Sequence, residues 1–148
     1  MSPESKTKSG GFTPEERAAM KQRAAELRAE GKKGAKKADA LQAALDSIAA
    51  MSPDDRAIAE RVHAIVTSTA PHLSPKTWYG MPAYANEDGK VVIFFKDAGK
   101  FDSRYATLGF EEAAKLDDGP MWPTSYALTD WTPAVEKKVA AMVKAAAS

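Results

Sequence analysis

The sequence predicts an α+β domain with one mostly antiparallel four-stranded sheet, helices packed on one face of it, and an N-terminal helical arm. Two observations predict this class. Apolar residues recur at helical spacing before residue 71 and after residue 132, and short apolar or alternating runs typical of strands lie between them. Residues 86–89 (Asn-Glu-Asp-Gly) and 97–99 (Asp-Ala-Gly) are tight turns, and tight turns join antiparallel neighbours.

Composition narrows the class of protein before any motif is considered. The chain has 148 residues, 44% of them hydrophobic, which is typical of one globular domain and excludes full disorder or a collagen array. No run approaches the ~20 apolar residues that span a bilayer, and the first residues lack the apolar core of a secretion signal. We therefore expect a cytoplasmic protein without a membrane partner. The absence of cysteine excludes disulfides, thiolate metal sites and cysteine nucleophiles.

Charge divides the chain into a basic arm (1–38) and an acidic body (39–148). The arm has ten Lys or Arg against five Asp or Glu, whereas the body has eleven against fifteen. Lys32, Lys33, Lys36 and Lys37 are the densest basic group, and such a group binds nucleic-acid phosphates in some proteins. The alternative, which we favour, is a solubilising arm that lies on its own acidic domain.

The arm contains one predicted helix, from Thr13 to about Glu30. Thr13 and Glu16 form a capping box around Pro14, a residue suited to the first helical position. Its best apolar face has only two large side chains, Met20 and Leu27, so the helix is expected to dock loosely. It would equally serve to cross to a second subunit, which leaves a monomer and a homodimer both open.

The body begins near Asp39 with two helices separated by Ser52 and Pro53, a capping residue and a first-turn proline. Four strands follow, and Gly80 and Pro82 mark the first of them as an edge or bulged strand. The strands are predicted over residues 78–84, 91–95, 101–108 and 124–128, with residues 72–75 as a loop. Thr132 and Pro133 begin the last helix.

Signatures of catalysis are missing from the sequence. It contains no GxSxG, HExxH, Walker A or GxGxxG motif. Ser74 follows His72 by two residues in a proline-flanked loop, which is not a nucleophile–base arrangement. His63 lies on the flank of an apolar helical stripe and is interpreted as a half-exposed helix residue. These observations favour a non-enzymatic protein.

Aromatic residues are concentrated in the second half of the chain and alternate there with basic residues. Such a pattern is typical of a groove that stacks a flat or anionic ligand, and equally of a sheet core filled with aromatic rings. Phe94 and Phe101 are assigned to the core. The candidate groove consists of Trp78, Tyr79, Met81, Tyr84, Lys96, Lys100, Tyr105 and Trp122.

Acidic residues offer a second kind of candidate site. Asp54, Asp55 and Glu60 lie on one predicted helix, and residues 111–118 form a second acidic segment. Hard cations need several converging carboxylates, so either group is a candidate metal site, and Asp54, Asp55 and Glu60 are the candidate ligands. Helix starts and solvated loops also contain such residues, and this interpretation is favoured.

Four segments carry a resemblance to a known family: residues 78–84 (W-Y-G-M-P-A-Y), 92–96, 105–110 and 121–128. They resemble the YdhG-like family, a bacterial domain of unknown function grouped with YjbR/CyaY-like and frataxin-like folds. The resemblance covers about residues 39–147 and leaves the arm outside. It implies an α+β domain with one antiparallel sheet. Some members are labelled intracellular iron chaperones by likeness to frataxin, so it also implies Fe²⁺ as a candidate ligand.

The leading hypothesis from the sequence is a binding protein with an aromatic and basic groove for a small molecule or a partner protein. The first alternative is an iron chaperone that holds Fe²⁺ through surface carboxylates such as Asp54, Asp55 and Glu60. The second is weak association of the basic arm with nucleic acid.

Overall fold

The computed structural model describes residues 12–30 and 37–148. Over these residues it shows four helices and five strands, and the α+β class is confirmed. The helices are α1 (Pro14–Glu30), α2 (Lys37–Ala49), α3 (Pro53–Thr69) and α4 (Pro133–Ala146), and the strands are β1 (Ser74–Trp78), β2 (Met81–Ala85), β3 (Val91–Lys96), β4 (Ala106–Phe110) and β5 (Ser125–Leu128). The sheet order is β1-β2-β3-β4-β5, and every neighbouring pair is antiparallel.

The prediction of four strands is wrong, because residues 74–85 form a hairpin of two strands. Tyr79 and Gly80 both have positive φ, 54° and 78°, and they form the two-residue turn between β1 and β2. Positive φ at both central positions is the pattern of a type I′ turn, whose twist matches that of paired strands. Pro82 is tolerated because the pairing of β2 with β3 begins one residue later, at Ala83.

The strand predicted from Phe101 begins instead at Ala106. Asp102 has a φ of 52°, and the Ser103 N–H donates to the Ala98 carbonyl at 2.9 Å, so the chain turns before β4. Tyr105 therefore lies in the connection to β4 and is 38% exposed.

The hydrophobic core lies against one face of the sheet, which we call the core face. Tyr84 pairs with Ile93, and Ile93 pairs with Phe110, so the three side chains share a face. Phe95 and Leu108 form the next pair on the same face. Apolar residues of α3 and α4 cover them: Ile58, Val62, Val66, Val139 and Val143.

Helix α1 lies against β1 and is attached with little apolar burial. Its predicted capping box forms: the Glu16 N–H donates to the Thr13 hydroxyl at 3.0 Å, and the Thr13 N–H donates to the Glu16 carboxylate at 2.9 Å. Among the α1 side chains that the structure describes, Ala19 alone is buried. Met20 and Leu27 are 42% and 52% exposed.

A bilayer span needs a long helix of apolar residues, and no helix in the described part of the chain has that length and character.

Candidate ligand-binding surface

At the tip of the β1–β2 hairpin, two consecutive backbone N–H groups bind one carboxylate. The Tyr79 N–H donates to Glu26 Oε1 at 2.9 Å, and the Gly80 N–H donates to Glu26 Oε2 at 3.0 Å. Successive N–H groups of a turn that face the same side form a concavity for anions. Helix α1 is thus joined to the hairpin through a carboxylate held by backbone donors.

Aromatic rings continue from this turn onto the sheet face opposite the core, which we call the open face. The Trp78 ring meets the Tyr79 ring edge-on, with centroids 5.0 Å apart, and its centroid lies 5.3 Å from that of Phe94. Phe94 pairs with Gly109, and a Cβ at Gly109 would collide with the Phe94 ring. The ring therefore lies flat on the sheet because the residue beneath it is glycine.

Cations lie beside these rings. Lys96 is two residues from Phe94 on β3 and therefore on the same face. Its ammonium is 5.0 Å from the centroid of the Phe101 ring, and that of Lys100 is 5.6 Å away. The Arg23 guanidinium of α1 is 5.8 Å from the Tyr79 centroid. At such distances a cation is attracted to the negative face of the ring.

We call this group the aromatic–basic surface, and all its members are half-buried. It consists of Arg23, Lys76, Trp78, Tyr79, Phe94, Lys96, Lys100 and Phe101. A shallow groove of about 440 Å³ extends from it toward the start of β3, lined by Arg23, Lys76, Trp78, Lys90, Glu111 and Glu112 among others. The groove therefore has cationic walls near Trp78 and carboxylates at its far end.

A second cavity, of about 570 Å³, lies beside the hairpin tip and is lined by Gln22, Gly80, Asp97 and Lys100 among others. Burial raises the pKa of the Asp97 carboxyl, and the nearby charge of Asp55 raises it further. Hydrogen bonds from the backbone N–H groups of Lys100 and of Asp97 itself partly offset this rise. Burial lowers the pKa of the Lys100 ammonium, against the opposing effects of the Asp97 and Glu26 charges. Lys100 thus joins this cavity to the aromatic–basic surface.

Half of the residues predicted for the groove come together on this surface: Trp78, Tyr79, Lys96 and Lys100. Met81 pairs with Trp78 on the open face but is only 6% exposed. The other three lie elsewhere.

Tyr84 belongs to the core face and is 1% exposed. Its hydroxyl lies 2.9 Å from His63 Nδ1 on α3, within hydrogen-bonding distance. Burial raises the pKa of the Tyr84 hydroxyl well above its ordinary value. Its place in the core removes Tyr84 from any groove on the open face.

Tyr105 and Trp122 are not among the residues that form the aromatic–basic surface or line its groove. The Arg104 guanidinium is 5.2 Å from the Tyr105 ring centroid. Trp122 lines a neighbouring hollow of about 350 Å³ with Phe110 and Asp117, and this hollow shares Glu111 and Glu112 with the far end of the groove. The candidate groove is therefore smaller than predicted and has different neighbours.

Sequence reasoning missed Arg23, Lys76, Phe94 and Phe101 as members of the surface. Phe94 and Phe101 were assigned to the core, and both are half-buried. Spacing on the strand offers a signal for Phe94, since Lys96 lies two residues later. Arg23 has no such signal, because it lies in the arm and reaches the hairpin only through the tertiary fold.

The predicted metal ligands do not converge. Asp55 is 7% exposed, and its Oδ2 accepts from the Gly99 N–H at 2.9 Å and from the Ser52 hydroxyl at 3.1 Å. Asp54 and Glu60 are exposed. Among the residues that the structure describes, no three His, Asp or Glu side chains are placed to hold a metal ion. Asp55 instead links the start of α3 to the loop after β3, and iron binding stays a prediction.

Most of the basic group of the arm lies outside the residues that the structure describes. Lys32, Lys33 and Lys36 are not among the described residues, and Lys37, the first residue of α2, is exposed. Association with nucleic acid stays a prediction.

Comparisons with protein-family models, with curated proteins and with solved structures found no match to this chain. The fold and the surface together define an α+β protein whose sheet presents aromatic rings and cations on the face opposite its core.

Proposed function

We propose that this chain is a non-enzymatic binding protein whose aromatic–basic surface takes ligands that combine a planar apolar group with a negative charge. The observation that carries the proposal is the pairing of rings with cations on the open face. Trp78 and Phe94 lie 5.3 Å apart between centroids, and Lys96 lies two residues from Phe94.

Exposure supports the proposal. A ring that serves only the core is buried, as Phe95 is at 1% exposure, whereas Trp78, Phe94 and Phe101 keep part of their surface in solvent. A planar group that covers these rings would remove apolar area from water, and each Å² removed contributes about 25 cal/mol. The neighbouring ammonium groups would attract the negative charge of a ligand, so the surface would prefer anions to neutral or cationic molecules.

The resemblance to the YdhG-like family stays part of the proposal. The segment that identifies it most specifically, residues 78–84, supplies Trp78 and Tyr79 to the aromatic–basic surface.

The first test uses 8-anilinonaphthalene-1-sulfonate (ANS), an anion with a planar naphthalene ring that fluoresces more strongly in apolar surroundings. Titration of the full chain should show saturable binding. Trp78→Ala should weaken it at least tenfold, or about 1.4 kcal/mol. Lys96→Met should weaken it several-fold and reduce its dependence on salt, because exposed charges are screened by ions.

Trp122→Ala is the matched control, since it removes the same side chain from a hollow that shares Glu111 and Glu112 with the groove but none of its aromatic rings. Its affinity for ANS should stay within twofold of the wild type. Near-UV circular dichroism would show that each variant is folded. Equal losses in Trp78→Ala and Trp122→Ala, or no saturable binding by the wild type, would contradict the proposal.

A further inference from the structure

The hairpin tip forms an anion site whose donors do not depend on its present occupant. Its two donors are the backbone N–H groups of Tyr79 and Gly80, and the turn that aims them is set by the five residue pairs between β1 and β2. Both oxygens of the Glu26 carboxylate are bound, at 2.9 and 3.0 Å. Charge-assisted bonds of this kind are stronger than neutral ones.

Lys100 adds a positive charge beside these donors. Its ammonium donates to the Gly80 carbonyl at 3.3 Å and to Gln22 Oε1 at 2.7 Å. A Cβ at Gly80 would collide with the side chains of both Gln22 and Lys100, so glycine allows this close approach. The tip therefore presents two N–H groups and one ammonium to whatever segment lies against it.

Helix α1 meets this site through one polar face. Gln22 and Arg23 precede Glu26 by four and three residues, and each of these spacings places a side chain beside Glu26 on the helix surface. Gln22 contacts Lys100, Arg23 lies over Tyr79, and Glu26 fills the anion site. Helix α1 thus presents a glutamate to the site one turn after a hydrogen-bond acceptor, the Gln22 side-chain oxygen.

Helix α1 has 17 residues, and few of its described side chains are buried against the rest of the protein. Ala19 is the one buried side chain among those described in α1, while Met20 and Leu27 are exposed. Most helical stability in proteins comes from packing of an apolar face, and α1 has little of it. The contacts of α1 with the hairpin are therefore mainly polar and are made by Gln22, Arg23 and Glu26.

We propose that the Tyr79–Gly80 turn and Lys100 form a carboxylate-binding site, that Glu26 occupies it as an intramolecular ligand, and that a helical segment of a partner protein that presents a glutamate binds there in its place. This inference rests on the proposed function, because it names the ligand class of one end of the aromatic–basic surface. It also makes α1 an internal competitor for that ligand.

The test uses a fluorescein-labelled peptide of residues 12–30, which contains Glu26, as the competing helical segment. Its binding to the full-length Glu26→Ala chain, measured by fluorescence anisotropy, should be at least tenfold tighter than its binding to the wild type. The reason is that the tethered α1 of the wild type acts at a high effective concentration and excludes the peptide. The amide resonances of Tyr79 and Gly80 should shift as the peptide binds.

Two controls isolate the carboxylate. A peptide with Glu26→Gln should bind the Glu26→Ala chain at least tenfold more weakly than the unchanged peptide. A Glu15→Ala chain loses an exposed glutamate from the same helix and should exclude the peptide as the wild type does. Should Glu26→Ala disturb the near-UV spectrum, the Glu26→Gln chain replaces it, because the amide keeps an acceptor for one N–H.

The inference is overturned if the peptide fails to bind the folded Glu26 variant, or binds it no more tightly than it binds the wild type. Equal binding of the two peptides overturns it as well, because the carboxylate would then contribute nothing. ANS binding that depends on Trp78 together with no peptide binding would reject this inference alone. Absence of Trp78-dependent ANS binding would instead reject the proposed function.

Discussion

The two faces of the sheet contain similar side chains in different surroundings. On the core face, Tyr84 and Phe95 are each 1% exposed and packed against α3 and α4. On the open face, Trp78 and Phe94 keep part of their rings in solvent and have lysines close by. Phe94 and Phe95 show this difference directly, because adjacent residues of a strand point to opposite faces of the sheet. Aromatic content alone therefore says little about function, and the neighbouring charges distinguish the two faces.

The largest expected effect separates these two neighbours. Phe95→Ala should lower the free energy of unfolding by about 3–5 kcal/mol, because it leaves a cavity in a closed core. Phe94→Ala should cost about 1–2 kcal/mol, because its ring is already partly in water and its loss leaves no closed cavity. Urea unfolding followed by far-UV circular dichroism measures both. Similar losses for the two variants would mean that both faces are core.

The sequence predicts much of the fold, and the one major error of that prediction, the number of strands, arises at a single turn. Residues 86–89 and 97–99 carry the Asn, Asp and Gly that turns require, and both are turns in the structure. The turn at Tyr79 and Gly80 has glycine at only one of its two positive-φ positions. Because tyrosine rarely adopts positive φ, the sequence pattern does not indicate a turn there, and the aromatic segment 78–84 is predicted as one strand.

That error also explains the misplaced site residues. In a continuous strand over residues 78–84, Trp78 and Tyr84 are an even number apart and share a face. The turn instead pairs Trp78 with Met81, and Tyr84, three residues beyond Met81, points to the other face. A local change of register thus moves Tyr84 from the predicted groove to the core. Arg23 and Glu26 join the site across more than 50 residues of sequence, which no local pattern indicates.

A smaller effect is expected at Tyr79, whose backbone has a positive φ and whose side chain belongs to the aromatic–basic surface. A non-glycine residue in the left-handed region costs about 1–2 kcal/mol, and asparagine tolerates it better. Tyr79→Asn should relieve this strain and lose the contacts with Trp78 and Arg23, which contribute about 0.5–1.5 kcal/mol each. The free energy of unfolding should therefore change by less than about 1 kcal/mol, while ANS binding weakens several-fold.

Thermal unfolding and ANS titration of the same Tyr79→Asn preparation check this expectation. Gly80→Ala serves as the contrasting variant, because it places a Cβ at a positive φ and against Gln22 and Lys100, and should lower stability. A large loss of stability in Tyr79→Asn with unchanged ANS binding would show that the tyrosine ring serves the fold rather than the surface.

The smallest expected effect concerns the core face and its dependence on pH. Burial lowers the pKa of His63 below its ordinary 6.5, so the unfolded chain binds a proton more readily than the folded one. The stability contributed by neutral His63 is therefore complete above pH 6.5 and declines as the pH falls from 6.5 toward the lowered pKa of the folded state. The effect is small because His63 is only partly buried. Urea unfolding at intervals from pH 7.5 to 5 measures it as the difference between wild type and His63→Gln.

The difference between the two proteins is needed because Asp97 titrates in the opposite sense. Its raised pKa makes the charged form costly, so protonation of Asp97 adds stability as the pH falls. Asp97 is present in both proteins, and its contribution cancels in the difference. The wild type should lose stability relative to His63→Gln as the pH falls below 6.5. A difference that is constant with pH would mean that the Tyr84 hydroxyl and its surroundings hold His63 without favouring either protonation state.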